Sequence, residues 1–295
     1  MPGSARKAEL CPPPLTFVVM RVAIVVMHRT ASLFLALFLA GCTSNATRIE
    51  ELAAALGMTR SVVAAGGFRS PIFMRGAPGP QDATLAIFIE GDGVPWEGGR
   101  QPSLDPATRD PIALKLLAQT PIFAAYIARP CYHDMSDERC TPERWTMERY
   151  SDEIVSSMTD VVRTTALQAK ARSVVLVGYS GGGVLAVLIA ERLDNVSAVI
   201  TVGANLDTDA WTMHHDYLPL SGSLNPASST AEHHWPETHL YGARDETVPP
   251  ATAEAYFKRY PGARRRIVDA NDHVCCWVEQ WAQLWKQWGH SSFPQ

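Results

Sequence analysis

Charge is sparse and nearly balanced in this 295-residue sequence: 19% of residues are charged, 26 Lys and Arg against 30 Asp and Glu, for a net charge of −4. No basic patch or run of like charge is there to hold a nucleic-acid backbone, so no nucleic-acid partner is expected. No heptad pattern and no repeat of about twenty to fifty residues occurs, which removes coiled coils and repeat arrays. No apolar run reaches the ~20 residues of a comfortable membrane span. No Cys-x-x-Cys pair is present among the six cysteines, so these residues do not suggest a metal site. No glycine-rich loop ends in Lys-Ser or Lys-Thr, as a phosphate-binding loop must. What is there is a hydrophobic fraction of 46%, ample for one large core.

The first forty-odd residues differ from the rest. Arg21 and His28-Arg29 precede a short apolar run from 31 to 40, which ends in Leu39-Ala40-Gly41-Cys42. A basic stretch, a short apolar stretch and small residues before a cut describe a secretory signal. The ending resembles the lipobox of bacterial lipoproteins, and that resemblance implies that Cys42 is lipidated and becomes the mature N-terminus. The expected organisation is a leader over 1–41 and a single domain over 42–295, exported and held at the membrane surface of the cell envelope. Cys11-Pro12-Pro13-Pro14 suits neither a signal nor a fold, so the true start is expected at Met20 or Met27. Export favours disulfides among Cys131, Cys140, Cys275 and Cys276, for which three pairings exist. Cys131 with Cys140 is the favoured one. Cys275 and Cys276 would then form a strained vicinal pair, or each would bond elsewhere.

From Thr47 onward strands and helices alternate. Thr47-Arg48-Ile49-Glu50 has a capping-box pattern and predicts a helix to 56. Asp110 followed by Pro111 predicts an N-cap and a helix to 118. Amphipathic spacing predicts helices over 150–169, with Ile154, Val155, Met158, Val161, Val162 and Leu167 on the apolar side, and over 182–193, 252–260 and 276–288. Apolar, β-branched runs predict strands over 85–90, 123–128, 173–177, 196–202, 238–241 and 266–268. Fully apolar strands alternating with helices indicate an α/β fold, a mainly parallel sheet covered on both faces. Two long stretches, 92–109 and 205–236, carry few regular signals. Lying after strands, they are candidate walls of a binding pocket or solvent-facing packing.

The strongest motif is Gly178-Tyr179-Ser180-Gly181-Gly182. It follows directly on an apolar strand and opens directly into an apolar helix, the context of a nucleophile elbow. From these residues the chain resembles the α/β-hydrolase superfamily over roughly 85–288. The resemblance implies the order serine, acid, histidine on loops after later strands. Gly242-Ala243-Arg244-Asp245-Glu246-Thr247-Val248-Pro249 looks like the acid loop, and Asn271-Asp272-His273 stands where the histidine belongs. Ser180, Asp245 and His273 are therefore the expected catalytic residues. Asp269, Asp272 and Glu246 are alternative acids.

The oxyanion hole is expected from the backbone N–H of Gly181 and of Asp92, with Gly91 as the alternative to Asp92. Where many relatives carry His-Gly, this chain has Glu90-Gly91. Asn205-Leu206-Asp207 and Trp211 could shape an acyl pocket, although an N-cap for Asp207 and core packing for Trp211 are the favoured readings. His214, His215, His233 and His234 match no ligand spacing. The implied activity is hydrolysis of a small-molecule or lipid-like ester through an acyl-enzyme, with no cofactor and no metal. A peptidase, a thioesterase or an acyltransferase would use the same residues, and a non-catalytic binding lipoprotein is the alternative of another class.

Overall fold

The apolar strands assemble into one sheet. In the computed structural model, which describes residues 43–77 and 84–289, the strands are β1 (Thr59–Ala65), β2 (Phe68–Arg75), β3 (Thr84–Ile89), β4 (Trp96–Glu97), β5 (Gln101–Pro102), β6 (Ala124–Ile127), β7 (Ser173–Tyr179), β8 (Val196–Val202), β9 (Glu237–Gly242) and β10 (Arg264–Val268). Eight of them form a sheet of order β1-β2-β6-β3-β7-β8-β9-β10, and β4 and β5 make a separate small hairpin. From β6 to β10 every neighbouring pair is parallel, whereas β2 runs antiparallel to β1 and to β6. The chain divides into the units Met1–Thr43 and Ser44–Gln295, and every described element belongs to the second. The expected leader, Cys11 and Cys42 lie outside the described residues.

The two-residue period of the strands sends their side chains into two cores. Leu85, Ile87 and Ile89 of β3 and Val174 and Leu176 of β7 face one side. There they meet α3 (Asp152–Gln168), α4 (Gly181–Ala190) and Tyr256 of α6 (Glu254–Arg259). Ala86, Phe88, Val175 and Val177 face the other, against α1 (Asn45–Ala55), α2 (Ile112–Ala118) and the Trp277, Trp281 and Leu284 face of α7 (Trp277–Leu284). Helices on both faces of a largely parallel sheet leave the loops at the C-terminal strand ends free to build a site. A further short helix, α5 (Thr208–His214), lies within the long stretch after β8.

Several local expectations change. The first helix is capped by Ser44, whose side chain accepts from Thr47 N–H, so Thr47 is not the cap. Asp110 does not cap α2: its carboxylate pairs with Lys115. Glu90 takes that place, accepting from the backbone N–H of Ala113 at 3.1 Å. Leu167 turns outward from α3 while Ile154, Val155, Met158, Val161 and Val162 are buried. The helix expected over 252–260 begins as a 3₁₀ turn, Pro250–Ala253, before α6. Cys131 is bonded to Cys140, with S–S 2.08 Å, and Cys275 to Cys276.

Candidate active site

β7 ends in the tight turn that carries Ser180. The serine has φ +51° and ψ −127°, a conformation L side chains rarely adopt, and caps α4 through its backbone. Its N–H donates to Val202 O at 2.8 Å and its carbonyl accepts from Gly183 N–H at 2.8 Å. The flanking glycines are a steric necessity. A Cβ at Gly178 would overlap Gly182 and Gly183, and one at Gly182 would overlap the carbonyl oxygens of Ile89 and Glu90. The side chain of Ser180 makes no capping bond and is free to point at the loop after β10.

His273 arrives from that loop. Its Nε2 lies 3.1 Å from Ser180 Oγ and its Nδ1 lies 2.8 Å from Asp245 Oδ2. A carboxylate only accepts, so Nδ1 carries the hydrogen and Nε2 is left to accept from the serine hydroxyl. Asp245 is buried, and its other oxygen accepts from Thr247 N–H at 3.0 Å and Val248 N–H at 2.7 Å. Both carboxylate oxygens are thus committed and the ring is held in one orientation. The carbonyl of His273 accepts from Tyr179 O–H at 2.9 Å and from Trp277 Nε1 at 3.0 Å, which fixes the loop from below. Asp272 binds the N–H groups of Val274 and Cys275, a turn within its own loop. Of the acids considered, Asp245 is the one hydrogen-bonded to the imidazole.

The loop after β3 closes the other side. A Cβ on Gly91 would lie 3.1 Å from the Ser180 Cβ. The Gly91 N–H, however, is taken by the carboxylate of Glu90 at 3.2 Å, which removes it as a free donor and leaves Asp92. Burial pushes the Glu90 carboxyl up to about 7 against the opposing pull of the Ala113, Gly91 and Leu114 N–H groups.

The Asp92 side chain is held by residues that sequence reasoning did not connect with it. Its oxygens accept from Arg129 Nη1 at 2.7 Å, Arg149 Nη1 at 2.9 Å and the Tyr150 hydroxyl at 2.6 Å. Burial alone would raise the Asp92 carboxyl. The charges of Arg149 and Arg129 outweigh it, helped by the hydrogen bonds from Arg129 and Tyr150, and hold it at about 2. Two guanidinium groups against one carboxylate leave a net positive charge beside the elbow. The signal available was Arg129 standing directly after an apolar strand, but nothing in the sequence names its partner.

A cleft of about 670 Å³ opens above Ser180 and His273. Both long stretches wall it, one with Val94, Pro95 and Trp96, the other with Trp211, Tyr217 and Leu218. Asp207 is the N-cap of α5, accepting from Ala210 N–H at 3.1 Å. Trp211 is half-buried and packs against the core, as expected, and does a second thing as well. It lines the cleft and donates from Nε1 to Thr247 O at 2.8 Å, where His215 Nε2 also donates at 2.9 Å. The four histidines do not converge. His233 lies between Glu191 and Glu237, and His234 is exposed.

No protein-family model matches the chain, and no curated protein matches it in sequence. Solved structures do match it in shape. A membrane phospholipase A, described as a bacterial virulence factor, superposes with a TM-score of 0.53 at 14% identity, over 94% of this chain and 98% of its own. An esterase from Pyrococcus furiosus does so with a TM-score of 0.56 at 14% identity, over 80% and 92%. An acylaminoacyl peptidase from Pyrococcus horikoshii gives 0.53 at 12%, over 80% of this chain and 40% of its own. The chain has the α/β-hydrolase fold. In an α/β-hydrolase fold the elbow after the central strand, the acid loop and the histidine loop lie at one edge of the sheet, which is where Ser180, Asp245 and His273 stand here.

Proposed function

We propose that this protein is a serine hydrolase that cleaves a carboxylic ester through an acyl-enzyme on Ser180. One observation carries the reading: the relay from Ser180 Oγ to His273 to Asp245, at 3.1 and 2.8 Å, on a strained turn facing a cleft. His273 Nε2 takes the hydroxyl proton as Oγ attacks the carbonyl carbon, and Asp245 stabilises the imidazolium. The negative oxygen of the tetrahedral intermediate is held by the backbone N–H groups of Gly181 and Asp92, with the net positive charge of the Arg129–Arg149–Asp92 cluster nearby. The proton passes from His273 to the departing alcohol, and water then frees the acid by the same steps. The apolar walls supplied by Val94, Trp96, Trp211, Leu218 and Leu220 favour an acyl chain, and the volume suits a small ligand. The fold neighbours include a phospholipase, an esterase and a peptidase, so the ester rests on the cleft rather than on the fold.

Turnover of p-nitrophenyl esters of graded chain length tests it. The wild type is expected to hydrolyse them with a preference that reports the depth of the pocket, and Ser180→Ala to lose at least about 10³-fold in kcat. Equal turnover in the mutant would remove Ser180 from the reaction. No turnover of any ester would favour a binding module.

The same proposal includes lipidation of Cys42 and attachment to a membrane surface of the cell envelope, supported by Leu39-Ala40-Gly41-Cys42 after a short apolar run. Mass spectrometry of the mature N-terminus is expected to find Cys42 acylated. A mature chain beginning elsewhere, with Cys42 unmodified, would overturn this part.

A further inference from the structure

We propose that the mouth of the cleft is a membrane-docking surface, on which Leu104, Met213, Tyr217, Leu218 and Val274 lie against a lipid bilayer and open the cleft toward it. That the bilayer supplies the ester rests on the hydrolase reading; the docking surface does not, although the choice of a bilayer as its occupant draws on the proposed lipidation of Cys42.

The first observation is where large apolar side chains remain exposed. Leu104 is 85% exposed, Met213 76% and Leu218 67%, with Tyr217 and Val274 also open to solvent. Tyr217, Leu218 and Val274 line the cleft, and Met213 follows Thr212, which lines it too. Leu104 sits on the facing stretch. Its neighbour Ser103 donates to Pro95 O at 3.0 Å, and Val94, a cleft residue, donates to Pro106 O at 2.9 Å. Contiguous exposed apolar surface around a ligand cleft marks an interaction site, whereas scattered single residues do not.

The second observation is independent and names the occupant. The chain enters the fold beside Leu104. Asn45, the first residue of α1, donates its N–H to Asp105 Oδ2 at 2.6 Å and its side-chain amide to Ala107 O at 3.1 Å. Cys42 is three residues before Asn45, so the covalent chain keeps the Cα of Cys42 within about 11 Å of that point. A lipid anchor there would draw Leu104 and its surroundings to the bilayer. The stretch before Cys42 holds Arg6, Lys7, Arg21 and Arg29 against Glu9, so a chain starting at Cys42 carries −4 − 3 = −7. Such a chain is not attracted by anionic lipid, which leaves the apolar rim to make the contact. Neutral phosphatidylcholine should therefore suffice.

Amide hydrogen exchange of the Cys42→Ser chain over 42–295, which lacks both the acyl anchor and the apolar stretch before it, with and without phosphatidylcholine vesicles, tests the surface by itself. Vesicles are expected to slow exchange about threefold or more over 103–107 and 212–218, to leave 163–169 around the exposed Leu167 unchanged, and to do so equally in high salt. Leu104→Glu/Met213→Glu, two residues outside the cleft lining, should abolish that protection while p-nitrophenyl acetate turnover stays within about twofold. Absence of protection at the rim, or protection spread evenly over the chain, would overturn the proposal. So would protection that rises with protein concentration in the absence of lipid, which would assign the rim to a second copy. Protection without ester turnover would retain the docking surface and sink the hydrolase reading, so the two failures are distinguishable.

Discussion

At the scale of single residues, the site depends on groups whose polar atoms are already committed. Asp245 uses one oxygen on its own loop and the other on His273, so in the proposed reaction it fixes a tautomer as much as it supplies charge. Asp245→Asn can turn an N–H₂ toward Nδ1 and reverse that tautomer, and kcat for the best p-nitrophenyl ester is expected to fall about 10⁴-fold with the fold retained. Circular dichroism alongside the kinetics separates this from unfolding. Asp92 is different in kind, because it is the carboxylate shared by Arg129 and Arg149 in a buried setting. Asp92→Asn strands two cations and should cost about 3–5 kcal/mol in urea unfolding. A loss below about 1 kcal/mol would show that the cluster is not the brace described. The three relay residues could be read from the sequence, since each stands in a local motif with its own turn chemistry. The Asp92 cluster could not: its partners are 37, 57 and 58 residues away and share no local pattern.

At the scale of elements, burial decided what could be foreseen. β8 matches its predicted span, 196–202, and β3 and β7 nearly match theirs, because interior parallel strands are apolar throughout. The β1–β2 hairpin went unrecognised: Val63 is the one buried residue of β1, so the edge strand shows no alternation to read. The elbow makes a prediction of its own. Gly182→Ala should prevent α4 from approaching β3 and leave little soluble protein, since the new methyl would meet backbone oxygens that cannot move aside.

β9 is anchored at its first residue by a buried network. Glu237 accepts from His233, from His239 at 2.9 Å and from the Tyr256 hydroxyl. Burial opposes charge on His233, but its hydrogen bonds to Glu191 and Glu237 raise the imidazole from 6.5 to about 9. A folded value above the unfolded one gives stability that is complete below pH 6.5 and is lost as the pH rises through about 9. The melting temperature should accordingly fall across that interval, and His233→Gln should flatten the decline. An unchanged slope in the variant would remove His233 from the explanation.

At the scale of the whole molecule, the parallel sheet gathers residues from distant parts of the chain at one edge, with two irregular stretches roofing the cleft. Those stretches could be located in the sequence by their lack of periodicity, but their contribution to the walls needed the structure, because loop paths follow from what they pack on. The Cys131–Cys140 bond ties one segment next to the Arg129 cluster. Cys140→Ser is expected to cost about 2–3 kcal/mol, read from the urea midpoint at constant slope. The claim on which the rest turns is that Ser180 becomes acylated. Its most direct test is intact-mass spectrometry of the enzyme quenched in acid during turnover of a p-nitrophenyl ester, followed by peptide mapping. The account predicts a mass increase equal to the acyl group, located on Ser180 and absent in Ser180→Ala. Ester turnover on an enzyme that stays unmodified, or that carries the acyl group on another residue, would contradict it.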